Sequence, residues 1–212
     1  MFREQTYLCV NTNECSTMLS MPADSHQEPH PLDGNHPTSL KSLILFAVIV
    51  MVIVLPIRLF IAKPFIVSGT SMFPTFDTWH YLIIDQISYR FNEPERGDVI
   101  VFRFPQDPSR FFLKRIIGLP GERVVLSGTT VTIFNDESPE GLVLEEPYVD
   151  DEHQKPSNSV SNLGDNEYFV LGDNRAASSD SRYWGPLEDN KITGRAYVRL
   201  FPFNSIGTYP GK

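Results

Sequence analysis

The sequence predicts an all-β domain, antiparallel and barrel-like, preceded by one transmembrane helix. Two observations carry this expectation. From about residue 64 onward, short runs rich in β-branched and aromatic residues alternate with turn signals, and none shows the period of a globular helix. Ahead of them, Leu43 to Leu55 reads LILFAVIVMVIVL, apolar at every position. The composition is that of a folded protein: 212 residues, 41% hydrophobic and 21% charged, which excludes a wholly disordered or collagen-like chain. Two cysteines are too few for a disulfide scaffold. A net charge of −8 argues against a general nucleic-acid binder, which would carry a basic patch.

The charge is unevenly spread. Residues 1–40 hold Arg3 against five acids, residues 41–66 hold Lys41, Arg58 and Lys63 with no acid, and the remainder is acidic again. The first region, with HQEPHPLDGNHPTS, has no helical or strand period and too little apolar surface to offset its ordering entropy; it reads as a disordered tail, 1–40. Its Cys9, Cys15, His26 and His30 fit zinc-finger spacing poorly, so no metal or other cofactor is expected.

The second region, 41–63, reads as the membrane anchor. Leu43 to Ala62 spans 20 residues with Arg58 as its one charge, about 30 Å as a helix. Arg58 lies near one end, where it can reach the interface. A buried core helix is the competing reading, but a soluble domain rarely needs one that is apolar on every face. A cleaved secretory signal fits less well, because 40 residues precede the run and no small-x-small site follows it. Positive charges flank both ends, so charge counting leaves the topology open.

The third region, 64–212, holds the strand candidates YLIIDQI, DVIVFRF, FFLKRIIG, RVVL, TVTIF, EYFVLG and RAYVRLF. Turns at Arg96-Gly97-Asp98, Pro120-Gly121-Glu122 and Ser127-Gly128 separate several of them. Residues 135–165 are acidic and contain Pro and Ser; they are expected to form a surface excursion.

Three segments of this region can carry chemistry. VSGTSMFPT presents Ser71 between Gly69 and Pro74, with Met72 and Phe73 following the serine. Glycine permits close backbone approach and proline fixes a turn, so Ser71 could be a nucleophile facing backbone N–H donors; by itself the pattern is common in loops. Such a serine needs a base. Of five histidines, His26, His30 and His36 lie in the tail, His153 in the excursion, and His80 reads as an exposed turn residue. A Ser-His-Asp triad is poorly supported, and a lysine whose pKa burial has lowered is the alternative. Lys114 stands among Phe111, Phe112, Leu113, Ile116 and Ile117. Strand alternation leaves open whether it points into the core side or outward. The third segment, GDNRAASSDSRYWG from Gly172, suits a loop bonded within itself, in which Asp180 and Arg182 can pair; a solvated turn is the plainer reading.

Together with RGDVIVF, these ordered blocks closely resemble the type I signal peptidases, membrane-bound serine proteases with a Ser/Lys dyad. The resemblance covers about residues 41–205 and leaves the tail outside. It implies that Ser71 is the nucleophile, that Lys114 is the general base, and that Ser178, six residues after Gly172, helps position the lysine. It implies that Asp180 and Arg182 hold the site together. Where some members of the family carry a hydroxyl residue that assists the oxyanion hole, this chain has Gly69; the Ser71 N–H remains a donor. Met72 and Pro74 are expected beside the substrate. The implied partners are preprotein signal peptides and the lipid bilayer, with no nucleic acid. The implied placement is a single pass in the plasma membrane, tail cytoplasmic and the catalytic domain, 64–212, extracytoplasmic. The rivals are a specialised Ser/Lys protease of one dedicated substrate and a non-catalytic, membrane-anchored peptide-binding β-domain.

Overall fold

A computed structural model describes residues 40–56 and 62–211. The tail and its Cys9, Cys15, His26 and His30 lie outside the described residues. Helix α1 runs Leu40–Pro56 and ends at the proline. From Leu40 to Val54 every residue is exposed. Its 17 residues span about 25 Å, and no helix among the described residues is long and apolar enough to cross a membrane. The expected anchor, 41–63, is corrected at its far end. Residues 57–61 lie outside the described residues, and Ala62 and Lys63 open strand β1 (Ala62–Ile66) rather than close the helix.

The domain consists of two antiparallel sheets. The larger contains β1, β2 (Tyr81–Asp85), β3 (Val99–Phe104), β4 (Asp107–Gly118), β9 (Glu167–Leu171), β10 (Leu187–Glu188), β11 (Ile192–Phe201) and β12 (Gly207–Thr208). Its order is β1-β2-β11-β3-β4-β9-β10, with β12 added on β11. The smaller sheet has the order β7-β6-β5-β8, from β5 (Arg123–Gly128), β6 (Thr130–Phe134), β7 (Leu142–Val143) and β8 (Ser157–Asn162). A short helix, α2, covers Ser181–Trp184.

The expected barrel does not close. The large sheet is an open path from β1 to β10, and β1 and β4 both line one cleft instead of pairing. Phe65 of β1 meets Phe111 of β4 edge to face at 5.3 Å, so side chains, not backbone bonds, bridge the gap.

The sequence pattern explains which strands are central. β3 reads VIVFRF: Val99 and Val101 join Met72, Phe76, Leu82 and Ile84 on one face, and Ile100 and Phe102 join Ile116, Tyr168 and Val170 on the other. A strand buried on both faces must be apolar at consecutive positions. In β5 and β6 burial alternates, and their inward Val124, Leu126, Val131 and Ile133 pack with Ile117, Phe169 and Leu171, which fastens the small sheet to the large one.

The stretch 135–165 is not wholly a surface excursion. It supplies β7 and β8, and β8 pairs with β5 from Ser157 to Asn162. It also supplies the buried Val149 and Leu163.

Candidate active site

The loop between β1 and β2 carries Ser71. Its base is closed by the Val67 N–H donating to the His80 carbonyl and the Trp79 N–H to the Val67 carbonyl, both at 2.9 Å. Gly69 takes φ +104°, a left-handed conformation that favours glycine, and its N–H donates to Thr78 Oγ1 at 3.3 Å. Phe73 N–H then bonds the Thr70 carbonyl, and Phe76 N–H bonds the Met72 carbonyl at 2.8 Å. Met72 and Phe76 anchor this compact turn in the core, which leaves Ser71 partly exposed above them. The Ser71 N–H donates to no group among the described residues. Pro74, after a cis peptide bond, is exposed and does not line the cleft, whereas Met72 does.

Lys114 comes from the middle of β4, where it pairs with Ile100 of β3. It faces inward: the residue is 3% exposed, so the outward alternative does not hold. Its Nζ lies 2.8 Å from Ser71 Oγ and 2.9 Å from the Leu113 carbonyl. Burial pushes the amine down to about 8; Asp180 and Asp173 work against this, and Arg182 adds to it. As an ammonium, Nζ donates to Oγ; as a neutral amine it accepts the Oγ–H proton. No histidine hydrogen-bonds Ser71 among the described residues.

The pair opens onto a cleft of about 620 Å³. Its walls are residues 65–72, residues 110–114 of β4, Ala177 and Ser179, with Leu82 and Val101 also reaching it. β9 covers β4 only from Arg115 to Gly118, so this cleft-facing part of β4 pairs on one side alone.

The loop after β9 supports both sides. The Asn174 N–H donates to the Ser71 carbonyl at 3.1 Å. Arg182 grips the fully buried Asp180 with two bonds of 2.8 Å, and Asp180 also accepts from the Gly172 N–H at 3.2 Å. Arg182 further bonds the Arg175 carbonyl. Ser178 is buried, and its Oγ has no hydrogen-bond partner among the described residues, so it does not bond Lys114 here. A Cβ on Gly172 would run into Ser178 Oγ and the Ser71 carbonyl oxygen, and would lie 2.6 Å from Ser178 Cβ. Gly172→Ala is therefore expected to displace backbone beside the serine and lower peptidase turnover by about 10- to 100-fold, read as kcat on a peptide substrate.

Sequence reasoning missed the strongest support. Arg115, next to Lys114, points away from the cleft and is 1% exposed. It donates to both carboxylate oxygens of buried Asp173, at 2.8 and 2.6 Å, and to the Gly97 carbonyl at 3.0 Å. Its guanidinium lies 3.8 Å from the ring centroid of Tyr148. Thr75 Oγ1 donates to Asp173 at 2.5 Å, so one carboxylate ties β4 to the Ser71 turn. The readable signal was an arginine in an apolar strand together with an acid just after another. No group of three or more His, Cys, Asp or Glu side chains comes together to hold a metal ion among the described residues.

A serine beside a buried amine in an open cleft is an arrangement that serine hydrolases use, and comparison with known proteins gives the class: this chain is a serine peptidase. Residues 40–201 match the model of the family described as signal peptidase, peptidase S26, and the chain belongs to that family. It is 40% identical over 167 residues to a signal peptidase I from Leptolyngbya laminosa, covering 74% of this chain and 77% of that one. A probable signal peptidase I-2 from Synechocystis is 38% identical over 163 residues, covering 74% and 71%. The crystal structure of a signal peptidase I from Enterococcus faecalis V583 is 31% identical, with a TM-score of 0.41 over 49% of this chain and 97% of that chain.

Proposed function

We propose that this protein is a membrane-anchored endopeptidase that removes signal peptides from secreted preproteins, with Ser71 as nucleophile and Lys114 as general base. The observation that carries this reading is the 2.8 Å contact between Ser71 Oγ and the buried Lys114 amine at the wall of an open cleft. A peptide lying extended in the cleft can pair with the free side of β4 through its backbone. Neutral Lys114 takes the Oγ proton as Ser71 attacks the scissile carbonyl, and the oxyanion forms near the unengaged Ser71 N–H beside Gly69. Protonated Lys114 then gives its proton to the leaving amine, and water resolves the acyl-enzyme. Ser178, packed close to Gly172, takes the lysine-positioning role that the family resemblance assigns to it. Asp180 with Arg182, and Met72 under the serine, hold the frame. Pro74 shapes the turn rather than a substrate pocket.

The anchor belongs to the same reading. From Leu43 onward α1 is apolar on every face, and it is exposed from Leu40 to Val54, a surface suited to lipid rather than water. It would hold residues 64–212 at the outer face of the plasma membrane, with 1–40 on the cytoplasmic side. Confining enzyme and signal peptide to one bilayer raises their effective concentration.

The lysine sets the pH dependence. With the amine at about 8, only about a tenth is neutral at pH 7, so kcat/KM is expected to rise about tenfold per unit below pH 8 and level off above it. A profile measured on a model preprotein that stays flat or falls from pH 6 to 8 contradicts a lysine base. Assaying a panel of preproteins separates a general signal peptidase, which cleaves several, from a specialised processing protease, which cleaves one.

A further inference from the structure

Beyond the matched stretch 40–201 the chain turns back toward the site. A short 3-10 turn, Phe203–Ser205, leads into β12, which pairs with β11 opposite Val198 and Arg199. Tyr209, at φ +46°, donates its N–H to the Tyr197 carbonyl at 2.7 Å. Its ring lies edge-on to Tyr197 and 4.7 Å from the Arg195 guanidinium. This bend buries Pro210 and brings the Gly211 carbonyl onto Arg115 Nη1. The fit is close: a Cβ on Gly211 would lie 2.9 Å from the Thr75 methyl.

Arg199 makes a second link. Its Nε donates to the Ser205 carbonyl and its Nη1 to the Thr75 carbonyl, each at 2.8 Å, while the guanidinium lies over Phe76. Thr75 is thus held at its carbonyl by Arg199 and at its hydroxyl by Asp173, and Gly211 leaves room beside its methyl that a side chain would not. The bonds within residues 70–76 make the turn one unit, so a shift at Thr75 reaches Ser71. None of Thr75, Arg199, Ser205 and Gly211 lines the cleft.

We propose that residues Ser205–Gly211 form a positioning clamp on the Ser71 turn, joined to it by the positioning residue Arg199. The inference rests on reading Ser71 as the nucleophile. The clamp holds the attacking oxygen without touching substrate, so its loss lowers kcat and spares KM.

The test uses the full chain with Arg199→Met, Arg199→Lys and a variant ending at Thr208. It measures kcat and KM on a signal-peptide substrate, and amide hydrogen exchange by residue. Arg199→Met and the shortened chain are expected to lose about tenfold in kcat, with KM within about twofold. Exchange at residues 70–76 is expected to rise about tenfold while β3 and β9 keep wild-type protection. Arg199→Lys keeps the charge but reaches one carbonyl at a time, and falls between wild type and Arg199→Met. Wild-type kcat with unchanged exchange in 70–76 overturns the clamp. So does exchange that rises equally in β3 and β9, because the segment then acts on the whole fold. If the wild-type chain leaves the peptide uncut, the nucleophile reading fails separately, and exchange at 70–76 still decides whether the clamp exists.

Discussion

Ser71→Ala and Lys114→Met are each expected to reduce preprotein cleavage by about a thousandfold or more while the domain stays folded. In the proposed mechanism the two side chains, 2.8 Å apart, act as one unit, so the double variant is expected to lose no more than either single one. Lys114→Met also separates chemistry from folding. Burial lowers the amine below its unfolded value of about 10.4, so the folded state binds fewer protons than the unfolded chain between about pH 8 and 10.4. The lysine therefore works against folding at pH 7, and this penalty fades as pH rises through that window. Replacing it with an apolar side chain of similar length is expected to leave Tm unchanged or higher at pH 7, measured by circular dichroism. A variant that loses activity together with several degrees of Tm contradicts this account of the lysine.

Asp173→Ala is the substitution expected to cost most in stability. Arg115 would keep its charge in a site 1% exposed, with only the Gly97 and Gly211 carbonyls and the Tyr148 face remaining. Breaking one side of a buried pair costs about 3–5 kcal/mol, a large part of a domain's total of about 5–15 kcal/mol. Denaturant unfolding reads this directly. Activity should fall as well, because Thr75 loses the acceptor that holds the Ser71 turn. A loss under about 1 kcal/mol would mean that Arg115 finds water in the variant.

Most of the fold is legible in the chain where side chains alternate or run apolar. β2 through β6, β9 and β11 fall on runs that pattern alone marks as strands. β8 escapes because SNSVSN is polar and poor in β-formers, and its pairing along β5 makes it a strand. β1 is masked by Pro64 and by its place directly after the apolar run. An edge strand tolerates that proline.

The site divides in the same way. Ser71 on its glycine- and proline-bounded turn is local information. Lys114 is half local: a period of two shows that it and Arg115 face opposite ways, but only the fold shows which faces the cleft. The Arg115–Asp173 pair is not local at all. The register sets Arg115 opposite Leu171, which brings an acid 58 positions away within reach. Ser178 shows the reverse case, since its place in the motif was readable while its lack of a hydrogen bond to Lys114 was not.

Direct titration of the Lys114 amine tests the central claim most closely. NMR of the full chain carrying labelled lysine, with the signal assigned through Lys114→Met, gives the midpoint independently of any substrate. The expected midpoint lies near 8 and coincides with the rising limb of kcat/KM measured on the same sample. A midpoint at the ordinary lysine value of about 10.4, or a rate profile that ignores the titration, would contradict Lys114 as the base that activates Ser71.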